Sequence, residues 1–364
     1  MTPERKQHQP VTDQSFPRHE IPAVDEFARE AARARQLTLT KPSGALGRLE
    51  DVSIWAAGVQ GQCPPQQFAD VRVVIFAGDH GIAKSGVSAY PSEVTAQMVL
   101  NFLAGGAAAN VLARAHSAKV RVYDLGVDSE LASSFPEDVA AYKIRRGSGS
   151  IDREDALSPE ELKGAWQAGI AIADAQIDEG ADLLIVGDMG IGNTTPVTAL
   201  LSALTGIEPV ALIGRGTGVD DAGWMRKAEA IRDAVHRGSD AAGDPQELLR
   251  RCGGADLVAV TSFMIRAAER RTPIVLDGIV SAVCGLFAAR IAPGVQAWWI
   301  AGHRSTEPSQ TTALAELGLE PIIELGMRLG EGTGALTALP LIQAAIATLG
   351  EMATFGDAGV SDRE

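Results

Sequence analysis

Short apolar segments alternate with longer helical segments from residue 72 onward. The short segments are rich in Val, Ile and Leu and are often followed by Gly or Asp, whereas the longer ones are rich in Ala and Leu. Parallel strands have this composition because helices cover both faces of the sheet that they form. The alternation therefore predicts an α/β fold with a doubly wound, mainly parallel sheet. The predicted strands are Arg72–Phe76, Val120–Leu125, Leu183–Val186, Val210–Ile213, Pro273–Leu276, Ala297–Ile300 and Pro321–Leu325.

The two ends of the chain differ from this α/β region. Residues 1–20 are charged, contain proline and lack apolar periodicity, so we expect a disordered tail. Helices are predicted over residues 22–37 and over Ala335–Phe355, and no strand follows the second one. We expect the terminal segments to form a small helical lobe beside a large Rossmann-like domain. The lobe comprises residues 21–60 and 335–364, and the large domain comprises residues 61–334.

The overall charge and apolar content limit the classes of partner. The 364 residues carry a net charge of −14, which argues against nucleic acid as a partner. Small anions are not excluded, because backbone N–H groups and single basic residues bind phosphate locally. The most apolar stretch, Ile274–Ala292, is interrupted by Asp277 and Arg290, so we expect no membrane span.

The cysteines and the first residues bear on the compartment. No CxxC or CxxH pattern occurs, which argues against a zinc site or a disulfide framework and fits a reducing cytosol. Residues 1–20 contain no apolar core, so we expect no signal peptide and a cytoplasmic protein. We also expect neither a bound metal nor a cofactor. The three cysteines are Cys63, Cys252 and Cys284.

Two glycine-rich loops follow predicted strands, at the edge where α/β sheets bind ligands. The loop Gly187–Pro196 exposes backbone N–H groups, and its Asn and Thr residues can cap the next helix, whose N-terminus favours an anion. The loop Gly214–Asp221 adds Arg215, and Lys227 follows in the next helix. Both cations suit phosphate or carboxylate. The alternative is a simple turn into a helix, with Lys227 in solvent. Neither loop contains GxxxxGK[ST] or GxGxxG.

Asp79 and His80 follow the strand Arg72–Phe76 at the same predicted edge. They can belong to a site, or Asp79 can cap a turn while His80 is a structural histidine. Ser88 and Gln97 follow on the next segment, and either can form a hydrogen bond to a neutral heterocycle.

A single carboxylate, Glu331, lies in the glycine-rich run Gly330–Gly334 near the end of the chain. Glycines adopt positive φ and let the backbone approach a ligand closely. The run is therefore either a tight turn with a solvated Glu331, or a loop that brings Glu331 to a bound molecule as a catalytic base. Asp277, His303 and Ser305 also follow predicted strands, although His303 can equally have a core or turn role.

Several catalytic patterns are missing from the sequence. It contains no GxSxG nucleophile motif, no convincing cysteine nucleophile, no cluster of metal ligands and no pair of adjacent acids typical of phosphoribosyl-pyrophosphate sites. A reaction without metal needs a substrate that carries a good leaving group, and a cationic pyridinium nucleotide is one. A single glutamate can then deprotonate an incoming nitrogen nucleophile.

Six segments in the same order resemble the nicotinate-nucleotide–dimethylbenzimidazole phosphoribosyltransferases of cobalamin synthesis. The resemblance covers about residues 22 to 355. It implies transfer of 5-phosphoribosyl from nicotinate mononucleotide to 5,6-dimethylbenzimidazole, giving α-ribazole 5′-phosphate and nicotinate with inversion at the anomeric carbon. It also implies a homodimer that requires no metal. The segments are Lys41–Glu50, Gly78–Gln97, Gly187–Pro196, Gly214–Asp221, Pro273–Gly278 and Leu329–Gly334.

The resemblance also implies roles for individual residues. Glu331 corresponds to the general base of the family, and Ser88, Gln97 and Met189 correspond to the azole pocket. Asp188 and Asp256 stand where many relatives have Glu, a change that keeps the charge and shortens the side chain. The nucleotide site is expected at Asp188, Gly190, Gly192, Asn193, Thr194, Thr195, Gly214, Arg215, Gly216, Thr217, Gly218, Lys227, His303 and Ser305.

The expected reaction is a displacement in which an azole nitrogen attacks while Glu331 takes its proton. A partly apolar site that raises the pKa of Glu331 would favour this role. One alternative is a non-catalytic protein that binds azoles or nucleotides on the same fold. Another is a nicotinamide-dependent oxidoreductase, which the missing GxGxxG motif disfavours.

Overall fold

One parallel sheet of six strands organises the part of the chain that the computed structural model describes, residues 19–216 and 218–361. The strands are β1 (Val71–Gly78), β2 (Lys119–Gly126), β3 (Leu183–Met189), β4 (Ile274–Leu276), β5 (Trp299–His303) and β6 (Pro321–Ile323). Their order across the sheet is β2-β1-β3-β4-β5-β6. β2 lies beside β1 on one side of the sheet, and β4, β5 and β6 follow in order beyond β3 on the other side. The predicted doubly wound α/β fold is confirmed, and its switch point lies between β1 and β3.

The strands at the centre of the sheet are mostly apolar, although β1 contains the buried Arg72 and β3 contains Asp188. All eight residues of β1 are buried, and β1 pairs with β3 from Val71↔Leu183 to Ala77↔Met189. Helices cover both of its faces, which explains why the strand lacks polar alternation. Phe76 of β1 contacts Phe263 edge-to-face, with the ring centroids 5.2 Å apart.

Six of the seven predicted strands are confirmed, and the prediction of a strand at Val210–Ile213 is wrong. These residues lie in and just after a short helix, Pro209–Leu212, and β3 pairs directly with β4. Pro209 occupies the first turn, where its fixed φ suits a helix and its missing N–H is not needed. Val210 is 66% exposed, whereas Leu212 and Ile213 are buried, so only the end of the apolar run packs into the core.

The helices connect the strands and cover the sheet. In the described residues they are α1 (Glu26–Thr38), α2 (Arg48–Gln60), α3 (Glu93–Ala104), α4 (Ala108–Ala115), α5 (Glu137–Ala140), α6 (Pro159–Asp178), α7 (Thr194–Thr205), α8 (Pro209–Leu212), α9 (Asp221–Gly238), α10 (Pro245–Cys252), α11 (Ala255–Glu269), α12 (Ile279–Ile291), α13 (Pro308–Leu317), α14 (Thr333–Glu351) and α15 (Phe355–Ala358).

The N- and C-terminal helices pack together, as expected. α1 and α2 contact the C-terminal part of α14, and Leu39 pairs with Thr354 in an antiparallel bridge. A small apolar cluster that includes Leu39 and Leu349 lies between them. The other end of α14 packs against β5, so this helix belongs to both parts. The proposed domain boundaries stay a prediction, and residues 1–18 of the expected disordered tail lie outside the described residues.

Two stretches are long and apolar enough to cross a membrane by length and composition, Glu93–Ala115 and Thr333–Glu351. The first is divided into α3 and α4 at Gly105, whose φ of +77° ends α3. The second is α14, which packs against the sheet and α2. Both therefore fit the folded protein as ordinary helices, and the cytoplasmic location stays a prediction.

Candidate active site

A cleft of about 580 Å³ opens at the carboxyl ends of β3, β4 and β5. Parallel α/β sheets bind ligands at this edge, near the switch point of the topology. We refer to the apolar side chains of its lining as the apolar wall and to its polar groups and backbone as the polar wall. The lining consists of Tyr90, Val94, Met98, Asp188, Met189, Gly190, Ile191, Asn193, Thr194, Gly216, Gly278, Ile279, His303, Ser305, Glu307, Arg328, Leu329, Gly330 and Glu331.

Glu331 lies in a loop of left-handed backbone. Gly330, Glu331 and Gly332 have φ values of 81°, 62° and 82°. The positive φ of Glu331 is tolerated because the loop packs tightly on the sheet. A Cβ on Gly332 would lie 2.7 Å from Cγ1 of Val73. Gly187 in β3 provides room on the same face of the sheet, since a Cβ there would lie 2.9 Å from the carbonyl carbon of Glu331. The glycines thus serve close packing that holds Glu331 at the cleft, not a solvated turn.

The Glu331 carboxyl is suited to exchange a proton near neutral pH. The residue is 5% exposed, and its Oε2 has no hydrogen-bond partner among the described residues. Burial raises the pKa of Glu331 to about 7, and the nearby negative charge of Asp277 adds to the rise. A base with a pKa near the working pH is the most effective in proton transfer.

Asp188 is a second carboxyl at the end of β3. Burial raises its pKa to about 8, the charges of Asp277 and Glu331 add to the rise, and a hydrogen bond from Asn193 opposes it. Nδ2 of Asn193 donates this bond to Oδ2 of Asp188 over 2.8 Å. Asp188 and Glu331 are therefore two carboxyls with raised pKa values at the same cleft.

The structure brings only part of the predicted azole site into the cleft. Met189 lines it, whereas Gln97 is exposed and lies outside the lining. Ser88 is half-buried next to the cleft, and its Oγ accepts a bond from the N–H of Tyr90 at 3.3 Å. Val94 and Met98 of α3 face the cleft instead of Gln97. Their i, i+4 spacing was a signal that sequence reasoning missed.

Asp79 and His80 do not line the cleft, and both have structural partners. Asp79 accepts hydrogen bonds from Oγ1 of Thr95 at 2.6 Å and from the N–H of Asp128 at 2.8 Å. Thr95 in turn accepts a bond from the N–H of Ile191 at 3.1 Å, so Asp79 supports the loop after β3 indirectly. Nε2 of His80 lies 3.1 Å from Oδ2 of Asp256, and both side chains are buried.

The loop after β3 contributes to the cleft and to the start of α7. Gly190, Asn193 and Thr194 line the cleft, and the N-terminus of α7 begins there. Gly192 has φ +87° and faces Ala83, so its role is in the turn. Thr195 is fully buried beneath the loop. The N-terminus of α7 therefore lies at the cleft, and the binding of an anion there stays a prediction.

The second glycine-rich loop reaches the cleft by a different route from the one predicted, because no strand precedes it. Gly216 lines the cleft; its N–H donates to Oε1 of Glu307 at 3.0 Å, and its carbonyl accepts from Arg328 at 2.7 Å. Gly214 packs against the Glu307 carboxylate, and Gly218 lies beside Arg328. Thr217 is outside the described residues.

The cations of this region differ in position. Arg215 lies outside the cleft lining and pairs with Asp221 at 2.6 Å. Lys227 is 1% exposed, not solvated, and its Nζ donates to Oγ1 of Thr194 at 2.8 Å and to the carbonyl of Gly214 at 3.3 Å. Burial lowers the pKa of Lys227 to about 8. Lys227 thus joins the two loops beneath the cleft.

Polar residues at the end of β5 complete the cleft. His303 and Ser305 line it, as predicted, and His303 packs against Gly334. Both ring nitrogens of His303 lack a hydrogen-bond partner in the described part of the chain, and Nε2 lies 3.7 Å from Oδ1 of Asp277. Glu307 was missed, and no local pattern could have revealed it, because its contact with Gly216 spans 91 residues.

No group of three or more His, Cys, Asp and Glu side chains is placed to hold a metal ion within residues 19–216 and 218–361. The expected independence of metal stays a prediction.

Comparison with known proteins identifies the family. A family model described as phosphoribosyltransferase matches residues 21–360. The chain is 59% identical to nicotinate-nucleotide–dimethylbenzimidazole phosphoribosyltransferase of Mycobacterium marinum, over 94% of each chain. It is 60% identical to the Mycobacterium avium enzyme of the same name, over 93% of this chain and 96% of that one. A crystal structure of CobT from Thermus thermophilus is 44% identical, with a TM-score of 0.87 over 93% of this chain and 100% of that one. The chain therefore belongs to the family of nicotinate-nucleotide–dimethylbenzimidazole phosphoribosyltransferases.

Proposed function

We propose that this protein transfers the 5-phosphoribosyl group of nicotinate mononucleotide to 5,6-dimethylbenzimidazole or a related azole. The products are α-ribazole 5′-phosphate and nicotinate. The names of the relatives in two Mycobacterium species support these substrates. The observation that carries the mechanism is the buried Glu331 carboxyl at the cleft, whose pKa is about 7.

The apolar wall of the cleft suits the azole. Val94, Met98, Met189 and Ile279 present aliphatic and thioether surfaces. Thioethers pack well against aromatic rings, and a flat bicyclic base would bury its faces here. Leu329, two residues before Glu331, belongs to the same wall, and we propose that the base binds with a ring nitrogen toward the Glu331 carboxyl.

The polar wall suits the phosphate of the nucleotide. The N-terminus of α7, Ser305 and the backbone of Gly190 belong to this wall, whereas the N–H of Gly216 is already bonded to Glu307. Helix N-termini favour anions through their unpaired N–H groups. Arg328 supplies positive charge at the rim, and the buried Lys227 supplies it from beneath. This local charge offsets the net charge of −14.

The reaction proceeds by displacement at C1′ of the ribose. One azole nitrogen donates its lone pair to C1′ from the face opposite the pyridine ring, so the anomeric carbon inverts. The C1′–N bond to the pyridinium breaks, its electron pair returns to the ring nitrogen, and neutral pyridine leaves as nicotinate. Glu331 accepts the proton from the second azole nitrogen. Because the leaving group is cationic in the substrate, its departure needs no protonation.

The proposal is tested by turnover assays with nicotinate mononucleotide and a panel of azoles, with mass detection of the α-riboside. Glu331→Gln should bind both substrates and lose roughly 10²- to 10⁴-fold in kcat, since an amide does not accept the proton. Glu324→Gln is the matched control, because Glu324 is exposed and lies in the segment that leads to the same loop. A Glu331→Gln protein with more than about half the wild-type kcat would remove Glu331 from the chemistry.

The assay also separates the alternative functions. Binding of an azole and a nucleotide without formation of any riboside would identify a non-catalytic binding protein. We further propose a homodimer, as the resemblance implies. Light scattering of the purified protein would test it, and a monomer at micromolar concentration would contradict it.

A further inference from the structure

The helix that follows Glu331 has no cap of its own. α14 begins after Gly332, which has no side chain to accept a hydrogen bond. In a capping box, side chains at the N-cap and at the third helical position satisfy each other's backbone N–H groups. Here these positions are Gly332 and Ala335, and neither carries an acceptor. The N–H groups must therefore find a partner elsewhere.

Asp277, just after β4, supplies this partner from a distant part of the sequence. Its Oδ2 accepts the N–H of Gly332 at 3.0 Å, and its Oδ1 accepts the N–H of Ala335 at 2.9 Å. These are the two N–H groups that a capping box would satisfy. Asp277 is itself firmly held, because its N–H donates to Oγ of Ser281 at 2.8 Å and its carbonyl accepts from Gln310 at 2.8 Å.

We propose that Asp277 is a positioning residue, which caps α14 from the end of β4 and so keeps the Glu331 side chain at the cleft. The inference rests on the proposed role of Glu331 as the base. An uncapped helix N-terminus attracts carboxylates, and Glu331 directly precedes the N-cap residue Gly332. Because Asp277 accepts the hydrogen bonds of these N–H groups, they do not bind Glu331. Oε2 of Glu331 has no partner among the described residues and is available to a substrate.

The charge of Asp277 has a second effect on Glu331. The charged and titratable groups around this loop are Asp277 after β4 and those of the cleft lining, namely Tyr90, Asp188, His303, Glu307 and Arg328. The N–H groups that donate to both oxygens of Asp277 favour its ionised form. Burial raises the pKa of Asp277, while His303 and the backbone N–H groups oppose this rise. The negative charge of ionised Asp277 contributes to the raised pKa of Glu331.

The test is the pH profile of kcat for Asp277→Asn and for the smaller Asp277→Ser. Both remove the charge and one of the two bonds. We expect kcat to fall roughly 10- to 100-fold through misplacement of Glu331. We also expect the acid limb of the profile to move to lower pH by roughly one unit, because a like charge is lost. Disappearance of the acid limb in Glu331→Gln would assign it to Glu331.

Asp244 provides the control for capping alone. It accepts the N–H groups of Gln246 and Glu247, each at 3.1 Å, at the start of α10 and outside the cleft lining. Asp244→Asn and Asp244→Ser should leave the acid limb in place. A purely structural role for Asp277 would lower the free energy of unfolding without moving that limb, and this result would overturn the inference.

Failure of the two proposals can be told apart. If Glu331→Gln keeps its turnover, the proposed base is wrong. If Glu331→Gln is inactive while Asp277→Asn keeps both kcat and the acid limb, the positioning role is wrong. Amide exchange in the wild-type protein provides a test if the Asp277 variants do not fold. Slow exchange at Gly332 and Ala335 is expected, and exchange as fast as in an exposed loop would refute the capping by Asp277.

Discussion

The substitution Gly332→Ala tests whether the loop of Glu331 is as tightly packed as the structure indicates. Gly332 has φ +82°, and a Cβ there would lie 2.7 Å from Cγ1 of Val73 and 3.2 Å from Cγ2 of Ile185. Left-handed backbone costs a non-glycine residue about 1–2 kcal/mol. Overpacking of a core typically costs about 1–3 kcal/mol more. We therefore expect the free energy of unfolding to fall by about 2–5 kcal/mol, the sum of these two costs.

Gly326→Ala separates the two contributions. Gly326 has φ +66°, and a Cβ there would meet nothing within 4 Å, so only the backbone cost of about 1–2 kcal/mol applies. The measurement is urea unfolding of both variants and of the wild type, followed by fluorescence. Turnover should also fall roughly tenfold or more in Gly332→Ala, because Glu331 moves with the loop.

Equal stability of the two variants would refute the reasoning. It would mean that Val73 and Ile185 do not confine Gly332, and that the strained backbone of Glu331 is not held by packing on the sheet. Gly332→Ala could instead be destabilised as expected but remain fully active. This result would confirm the tight packing of the loop and show that turnover does not depend on the position of the loop.

Four further predictions concern the titration of Glu331, the nucleotide site and metal. The pKa of Glu331 is about 7 in the folded protein against an ordinary value of 4.5, so its ionisation lowers the free energy of unfolding as pH rises from about 4.5 to 7. Glu331→Gln should therefore be more stable than wild type at pH 8, by up to about 3 kcal/mol. Thermal or urea unfolding at about pH 4 should show no gain in stability for this variant. The same titration predicts that wild-type kcat decreases as pH falls below about 7, and a flat profile down to about pH 5 would contradict it. Gly216→Val should raise the KM for nicotinate mononucleotide more than the KM for the azole. A Cβ at this position would lie 3.1 Å from Oγ1 of Thr194 and 3.3 Å from Nζ of Lys227. An effect on the azole KM alone would show that the nucleotide and azole sites are assigned the wrong way round. Turnover should continue in excess EDTA, since a pyridinium leaving group needs no bound metal ion, and activity lost to EDTA and restored by Mg²⁺ would disprove this.

The fold class followed from local composition because buried parallel strands are apolar on both faces. β1 and β3 are runs of this kind, and both were predicted within three residues at each end. The error at Val210–Ile213 shows the limit of the method. A run of four apolar residues suits a strand and a short helix equally well, and only the direct pairing of β3 with β4 excludes the strand.

Part of the site was also visible in the sequence. Glu331 stood out because glycines surround it, and its position at the carboxyl edge of the sheet followed from the topology rule. Gln97 is outside the cleft lining, because a polar residue in the sequence does not say which face of α3 meets the cleft; its contact with the azole stays a prediction. The structure turns Val94 and Met98 toward it.

Other parts of the site depend on contacts between distant segments. Glu307 bonds to Gly216, and Asp277 bonds to Gly332 and Ala335 across 55 and 58 residues. The residue types and the spacing of the glycines indicate which backbone conformations are possible at each position. They do not record which carboxylate will meet which N–H group, because that depends on how the strands and helices pack. The sequence by itself determined the α/β sheet, the edge that binds ligands and the candidate base, whereas tertiary packing decided the cap, the pKa of Glu331 and the walls of the cleft.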